Sequence, residues 1–597
     1  MKLYKLKIHN FRKLNDVELT FGDATFLIGA NNAGKSSTLD AIDFLLNQKK
    51  LEASVHSRYF DATQDKEIED TSETIIEGEF RDVSEAILAE RGFYRERLKR
   101  YAKDDGTDGY SFTYRVRLDA DGKTHREMRM YTYEYKDDYL GCEKPQDFID
   151  RGASPDAFAG MDLNKKISKT QIPDLYENHN ELFKVGVNEE WFENPGGFAS
   201  VVLSKLPDFL QIGTNVETGE IDSQKGALQN ILGRLFTTVR DKSENYQKAH
   251  EALEALAKEM DPHDTTTDFG QMMMELNRVV AGVFPQSQIN VGANLSNADV
   301  LKPSFDVTMR SNVETSVSHQ GTGMVRSAIF ALLRYIKQRE AIDAPDRGLI
   351  IGFEEPELYL HPNAADNMRN IIYELAGGQS QVVCTTHSPY MIDISRKEKL
   401  VLNSYAIANH EYTSTFCFNH SEEFKKLQDN EKTRIKMVQK VDEYVSRVFF
   451  AQKVVMVEGD TEDIIFKKTI EVMPEEARKY ISDRYQVIKA VGKATMISFI
   501  KYLRSMNVDL FVVHDRDQGV EGAEIMNQPI LESLGGDNSK RLMMEECVED
   551  ELGYPPPRSD KPYKAYEYVK NWTKWDDVPA NWKAKMKIVF SDIAGLL

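Results

Sequence analysis

The sequence has little cysteine, four in 597 residues, at Cys142, Cys384, Cys417 and Cys547. They are scattered with no C-x-x-C spacing, which argues against a zinc site or a disulfide framework and fits a reducing cytoplasm. Long apolar runs are missing too. No uninterrupted stretch approaches the ~18 residues that a bilayer-spanning helix needs, so no membrane segment is expected. The opening M-K-L-Y-K-L-K-I-H-N alternates charged and apolar residues as an edge strand does, so no secretory leader is expected either. Nor is there an excess of positive charge: 76 Lys/Arg face 96 Asp/Glu, a formal net charge of −20. The chain as a whole therefore does not carry the basic surface of a nucleic-acid binder, and a DNA-contacting surface has to be local.

What is present is an ordinary globular composition, 41% hydrophobic and 29% charged, in a chain long enough for about three to four domains. Residues 2 to 28 read as strands around a turn, ending in T-F-L-I just before G-A-N-N-A-G-K-S-S. That segment fits G-x-x-x-x-G-K-[ST] through Gly29, Gly34, Lys35 and Ser36, and the following helix carries Leu39, Ile42, Leu45 and Leu46 on one side. The chemistry explains the spacing. Glycines let backbone N–H groups wrap phosphates, Lys35 reaches the β/γ oxygens, Ser36 takes Mg²⁺, and Asn32 and Ser37 belong to the same loop and helix start. ATP is the expected cofactor.

From 50 to 215 charged turns alternate with strand-like segments such as Thr74 to Phe80 and Ser111 to Leu118. The runs Leu228 to Val239 and Ala252 to Met260 have helical spacing and suggest a helical hairpin, either a self-association surface or an intramolecular core; Met272 to Met274 reads as gap-filling core. Then S-H-Q-G-T-G-M-V-R-S, Ser318 to Ser327, places a glycine turn at the head of a long helix. G-L-I-I-G-F-E-E-P-E follows, a buried strand ending in Glu354 and Glu355, and about thirty residues later Q-V-V-C-T-T-H ends a second strand at His387. An acid pair at a strand end suits Mg²⁺ (Glu354) and polarisation of an attacking water (Glu355).

A second constellation begins at V-V-M-V-E-G-D-T-E-D, Val454 to Asp463, where an apolar run delivers Glu458, a glycine turn follows, and Glu462 and Asp463 open a helix. Leu510 to Val513 runs into H-D-R-D, so Asp515 and Asp517 stand two apart on one face of a strand end. Acids gathered beyond the carboxyl ends of strands repel each other unless divalent cations neutralise them, and two such cations can cleave a phosphodiester. Mg²⁺ or Mn²⁺ is therefore expected at Glu458, Asp515 and Asp517, with Glu462 and Asp463 as ligands or their support. Behind this segment, Arg558 to Leu597 interleaves lysines with Trp572, Trp575, Trp582, Tyr563, Tyr566 and Tyr568. Two readings of that tail stay open: a DNA surface built on stacking and charge, or a solvated helix with a packed aromatic face.

Taken in order, P-loop, glycine turn, acidic strand and His-bearing strand resemble the ATPase head of the ABC superfamily, in the branch of the SMC, Rad50 and RecF proteins, and Ile8 to Lys13 matches that branch's first strand and turn. The acid pattern resembles the Toprim domain. Their union in one chain resembles the OLD (overcoming lysogenization defect) family of ATP-dependent nucleases, which includes the Gabija nuclease subunit and retron-associated members. E-E-P-E-L-Y-L-H-P, T-T-H-S-P, F-F-A-Q-K-V-V-M-V-E-G-D-T-E and K-P-Y-K-A carry the likeness.

The resemblance implies an α/β chain: an ABC-type head split into 1–220 and 296–430, an inserted helical and dimerising segment at 221–295, and a Rossmann-like Toprim nuclease domain at 431–597. It implies ATP held by Asn32, Gly34, Lys35, Ser36, Ser37, Glu354 and His387, with Glu355 catalytic and a second copy supplying the turn around Gly321 and Gly323. It also implies that Glu549 completes a second metal position and that Lys561 offsets charge on the scissile phosphate. Glu354 stands where the family has Asp, and the glycine turn is not the full signature, departures that bear on hydrolysis rate; Gln64 is the candidate Q-loop residue.

A topoisomerase would need a tyrosine nucleophile on a separate strand-passage domain, and a primase a zinc ribbon, and neither fits. The choice left is between a DNA endonuclease gated by ATP, in defence against bacteriophage, and an ATP-driven DNA clamp with a regulatory or inactive Toprim domain. The complete acid set favours the nuclease. Expected partners are DNA and further copies of the chain, and the family's members act alone, beside a helicase, or beside a retron reverse transcriptase with its DNA–RNA product.

Overall fold

The computed structural model describes residues 1–47, 49–61, 66–69, 72–103, 105–168, 171–213, 228–229, 231–233, 236, 243–259, 264, 266–283, 307–310, 314–316, 319, 322–343, 347–358, 360–393, 400–408, 412–441, 445–520 and 522–597. Contacts divide it into two compact units, Met1–Gln211 with Pro345–Leu597, and Ile212–Ala344.

The first unit begins with an antiparallel sheet in the order Phe183–Glu193, Thr124–Tyr135, Asp108–Leu118, Thr74–Arg81, Lys2–His9, Val17–Thr20, with Lys99–Ala102 paired to Asp108–Leu118. The alternation T-I-I-E-G-E-F-R gives Thr74–Arg81 one buried and one partly exposed face. The buried face, with Ile8, Ile76, Phe80, Tyr114 and Val116, shares a core with Leu39, Ile42 and Leu45 of the Lys35–Leu46 helix. Gly78 allows that approach, since a Cβ there would stand 2.7 Å from Leu45 Cδ2. In the segment R-E-R-L-K-R, Arg95 to Arg100, Arg97 is buried, donating to Tyr131 O at 2.8 Å and ringed by Tyr94, Tyr133, Tyr176 and Phe192.

The second sheet runs Asp208–Ile212, Leu349–Glu354, Ser380–Thr385, Ala24–Gly29, Leu400–Ala408, Tyr412–Asn419. Its strands from Leu349–Glu354 to Leu400–Ala408 are parallel, and the register pairs Glu354 with Thr385 and Thr385 with Leu27. Both faces of such a sheet are covered, so its strands are nearly continuous apolar runs. Their aligned carboxyl ends bring the P-loop, the acid pair and His387 to one edge.

A third sheet, fully parallel, has the order Tyr485–Lys489, Lys453–Val457, Leu510–His514, Arg541–Met543. Lys453–Val457 and Leu510–His514 are its central pair, with Val457 opposite Val513, so Glu458 and Asp515 leave the sheet at nearly the same level. Helices Asp460–Val472 and Lys493–Ser505 lead away from the carboxyl ends of the first two strands in chain order. Ahead of this sheet runs the helix Asp429–Val441, followed by a short turn at Val445–Phe449. It packs on Lys493–Ser505 through Glu431 to Lys501 at 2.7 Å and Arg434 Nη1 to Ala494 O at 3.2 Å, while Ser446 Oγ donates to Ile392 O at 2.9 Å.

Two of the tail's three tryptophans are core residues and the third is partly buried. Trp572 and Trp582 are buried in the core of the third sheet, where Trp582 stacks edge-on against Phe466 and donates to Thr469 Oγ1 at 2.8 Å, and Trp575 Nε1 donates to Leu597 O. The tryptophans repeat at spacings that let short helices close over the sheet, which satisfies both their area and their N–H groups. Tyr563 and Tyr566 of helix Lys561–Val569 stay exposed.

The second unit contains helices Glu244–Glu259, Asp268–Val283 and Thr322–Asp343 and a short hairpin, Thr308–Arg310 with Glu314–Ser316. Of the methionine run only Met273 is buried; Met272 and Met274 are 53% and 57% exposed, so two of the three do not fill a core. Gly323 lies in the first turn of the Thr322–Asp343 helix, whereas Gly321 and Gln64 lie outside the described residues. No helix among the described residues is long and apolar enough to cross a membrane.

Candidate functional site: a phosphate loop and an acidic strand-end cluster

At the edge of the second sheet, the strand Ala24–Gly29 ends with Gly29 at φ 139° and the loop turns through Asn32 at φ 62° and Gly34 at φ 97° into the Lys35–Leu46 helix. Left-handed backbone at Asn32 and Gly34 turns the loop around the helix N-terminus, the geometry that points N–H groups at a phosphate. Lys35 is 6% exposed, and its Nζ donates to Gly29 O at 3.1 Å, Ala30 O at 2.9 Å and His387 Nε2 at 2.9 Å. Burial lowers its pKa. His387 accepts through Nε2, consistent with a pKa lowered by burial and by the Lys35 charge. Its Nε2 also lies 3.4 Å from Glu355 Oε1.

Glu355 takes φ 41°, rare for a residue with a side chain, and its N–H is fixed by Thr385 O at 3.0 Å. Glu354 Oε1 accepts from Gln211 Nε2 at 3.3 Å, and the same amide reaches Asp40 Oδ1 at 3.3 Å; Asp40 is paired with Arg12. Gln211 is the residue that sequence reasoning missed. Its signal lies in pairing: it is the penultimate residue of the strand Asp208–Ile212 beside the acid pair, where the chain leaves for the inserted unit, which no local motif marks. Ser36 is exposed and Ser37 partly so, both in the first turn of the helix.

The second site lies beyond the third sheet. The backbone N–H of Asp515 donates to Glu458 Oε2 at 3.4 Å, and Glu462 Oε2 accepts from Gly459 N at 2.9 Å, which caps the helix it opens. Burial raises the Glu458 carboxyl to about 7, opposed by the Lys493 charge and assisted by Asp517 and Glu462. Burial raises Asp515 to about 8, with Glu462, Glu458, Asp517 and Glu549 adding repulsion. Glu462 is raised by burial and by Glu549 and is lowered by Lys561. The five carboxylates Glu458, Glu462, Asp515, Asp517 and Glu549 thus act on one another electrostatically.

Glu549 is 1% exposed and neither of its carboxylate oxygens finds a hydrogen bond; Oδ1 of Asp515 is likewise buried and unpartnered. An uncompensated buried carboxylate is costly, and an all-oxygen donor set with orphaned atoms suits a hard divalent cation. Among the described residues no group of three such side chains closes to ligating distances. Asp517, at φ 56°, is drawn instead to Lys493, whose Nζ stands 2.6 Å from its Oδ2. Asp463 stands aside from the cluster, paired with Lys467 at 2.7 Å. Lys561 is exposed at the first position of its helix, within electrostatic reach of Glu462.

A family model described as AAA ATPase domain matches residues 1–392, and one described as overcoming lysogenization defect protein-like, TOPRIM domain, matches residues 449–517. The chain is 23% identical over 598 residues to the OLD nuclease of Thermus scotoductus, covering 95% of each chain. It is 22% identical over 528 residues to the Old nuclease of Escherichia phage P2, covering 83% of this chain and 76% of that one. Among solved structures, an SMC head bound to the C-winged helix domain of ScpA aligns over 71% of this chain and 100% of that one, with a TM-score of 0.36 and 11% identity.

Proposed function

Because the chain belongs to the AAA ATPase domain family and, with its TOPRIM domain, to the OLD nucleases, we propose that it is a divalent-metal-dependent DNA endonuclease whose acidic strand-end cluster cleaves phosphodiesters under control of the ATPase head. The ATP-dependent nuclease follows from the family; the metal, the DNA substrate and a role against bacteriophage are the proposal. The observation that carries it is the facing of Glu458 and Asp515 on adjacent parallel strands with three further carboxylates inside one electrostatic cluster.

Glu458, Asp515 and Asp517 would hold the principal cation and Glu462 and Glu549 a second. When bound, Mg²⁺ or Mn²⁺ supplies a water of lowered pKa and neutralises the leaving oxygen. The chain's own residues do the rest. Lys561, exposed at the start of its helix near Glu462, offsets charge on the scissile phosphate.

In the head, Lys35 binds the β/γ phosphates, Ser36 with Glu354 serves Mg²⁺, and Glu355 with His387 orients the attacking water. Gln211, in contact with Glu354 and standing where the chain departs for the inserted unit, reports on the occupancy of that site. A second copy of the chain, joined through the inserted helices, completes the head. Plasmid nicking with Mn²⁺ tests the reading: Asp515→Asn and Glu458→Gln are expected to abolish nicking while ATP binding survives, and undiminished nicking by both variants would leave the ATP-driven DNA clamp in its place.

A further inference from the structure

We propose that Lys493 is a positioning residue of the nuclease reaction: its ammonium holds Oδ2 of Asp517, so that Asp517 offers a cation its other oxygen alone, and its charge limits how tightly the acid cluster binds that cation. The inference rests on Glu458, Asp515 and Asp517 being the metal site.

Lys493 is 5% exposed, a rare state for lysine unless it has partners. Besides Asp517 Oδ2 at 2.6 Å, its Nζ reaches Asn527 Oδ1 at 3.0 Å and Ala523 O at 3.4 Å. Three donors meet three acceptors, so the ammonium cannot swing. Asn527 closes the ring by donating through Nδ2 to Arg516 O at 2.7 Å, on the residue before Asp517. The loop that carries Asp517 is therefore tied to the lysine from both sides.

The lysine is itself placed by a strained turn. Val491 at φ 59° and Gly492 at φ 97° precede it, and a β-branched residue seldom adopts that conformation. Gly492 N donates to Glu458 O at 2.9 Å, so the turn is anchored on the first acid of the cluster. Strain at this point sets a fixed positive charge between the chain segments that bear Glu458 and Asp517.

Two effects of opposite sign follow. A unit positive charge close to the acids repels a dication, so its removal strengthens cation binding. It also orients Asp517, so its removal slows cleavage, because ligands must be held within a fraction of an ångström. A lysine that merely supported the fold would give weaker binding and slower cleavage together.

Mn²⁺ binding by calorimetry on the full-length, nucleotide-free protein, with plasmid nicking measured in parallel, separates these. Lys493→Met is expected to bind Mn²⁺ about threefold or more tightly while kcat falls about tenfold or more; Lys493→Arg, keeping the charge, should hold both near the starting values. Unchanged or weaker Mn²⁺ binding by Lys493→Met, or undiminished kcat, overturns the role. Should Lys493→Met fail to fold by circular dichroism, Asn527→Ala decides. It frees the ammonium without changing charge, so reduced kcat at unaltered Mn²⁺ affinity supports the role, and wild-type kcat overturns it. Wild-type Mn²⁺ affinity in Asp515→Asn would instead overturn the metal site on which the role depends.

Discussion

The backbone N–H of Asp515 donates to Oε2 of Glu458 at 3.4 Å, tying together two neighbouring strand ends whose carboxyl groups burial raises to about 8 and about 7. Near neutral pH both acids therefore compete for protons. A metal ion entering there must displace those protons, so binding is linked to pH in a stated direction.

Mn²⁺ affinity is expected to rise as pH goes from 6 to about 8.5, with proton release on binding. Calorimetry in buffers of different ionisation enthalpy measures the released protons directly. A pH-independent affinity with no proton release would contradict the raised carboxyls.

The same shifts act on stability. Carboxyls near 4 in the unfolded chain and near 7 and 8 in the folded one bind protons more tightly when folded. Stability of the metal-free protein therefore falls as pH rises from about 4 to about 8. With chelator present, Tm should drop between pH 6 and 8.5. Asp515→Asn removes the larger of the two shifts and should flatten that slope, as differential scanning calorimetry would record.

At the other site, Lys35 is held by two loop carbonyls and by His387, and Gln211 by Glu354 and Asp40. Lys35→Ala should lose ATP binding, because it removes the cation proposed to meet the β/γ oxygens. Gln211→Ala should leave ATP affinity within about threefold and cut hydrolysis about tenfold or more, the pattern of a residue that positions the neighbouring Glu354 rather than one that grips the phosphates. Calorimetry and phosphate release distinguish the two; parallel loss of binding in both variants would make Gln211 a structural prop.

The phosphate loop, Glu354 and Glu355, His387, Glu458 and Asp515 were legible because each chemical group sits at the end of an apolar strand, a pattern carried by ten residues or fewer. Gln211 and Lys493 were not. Gln211 becomes meaningful only through the pairing of Asp208–Ile212 beside Leu349–Glu354, and Lys493 only through a turn that brings it back to Asp517. The antiparallel sheet of the head joins Lys2–His9 to Thr74–Arg81 across more than sixty residues, which local spacing does not encode. The aromatic tail was ambiguous for a simple reason: a ring that stacks on a base and a ring that closes a core have the same composition signature, and only burial separates them.

Burial of the tail's tryptophans ties them to stability rather than to DNA. Trp582 is fully buried, packs edge-on against Phe466 with centroids 5.4 Å apart, and donates to Thr469; Phe466 and Thr469 belong to the helix Asp460–Val472, whose first turn carries Glu462. Trp582→Ala removes a large buried ring and leaves Thr469 without its donor, a change worth about 3–5 kcal/mol. Chemical denaturation should register that loss. Because the same helix carries Glu462, Mn²⁺ affinity should fall with it, whereas a tryptophan used to stack on DNA would lower DNA affinity at unchanged stability. Tyr563→Ser with Tyr566→Ser, on the exposed face of the neighbouring helix, gives the contrast: stability should hold within about 0.5 kcal/mol, and a fall in DNA affinity by gel shift would place the remaining aromatic contact on those two rings.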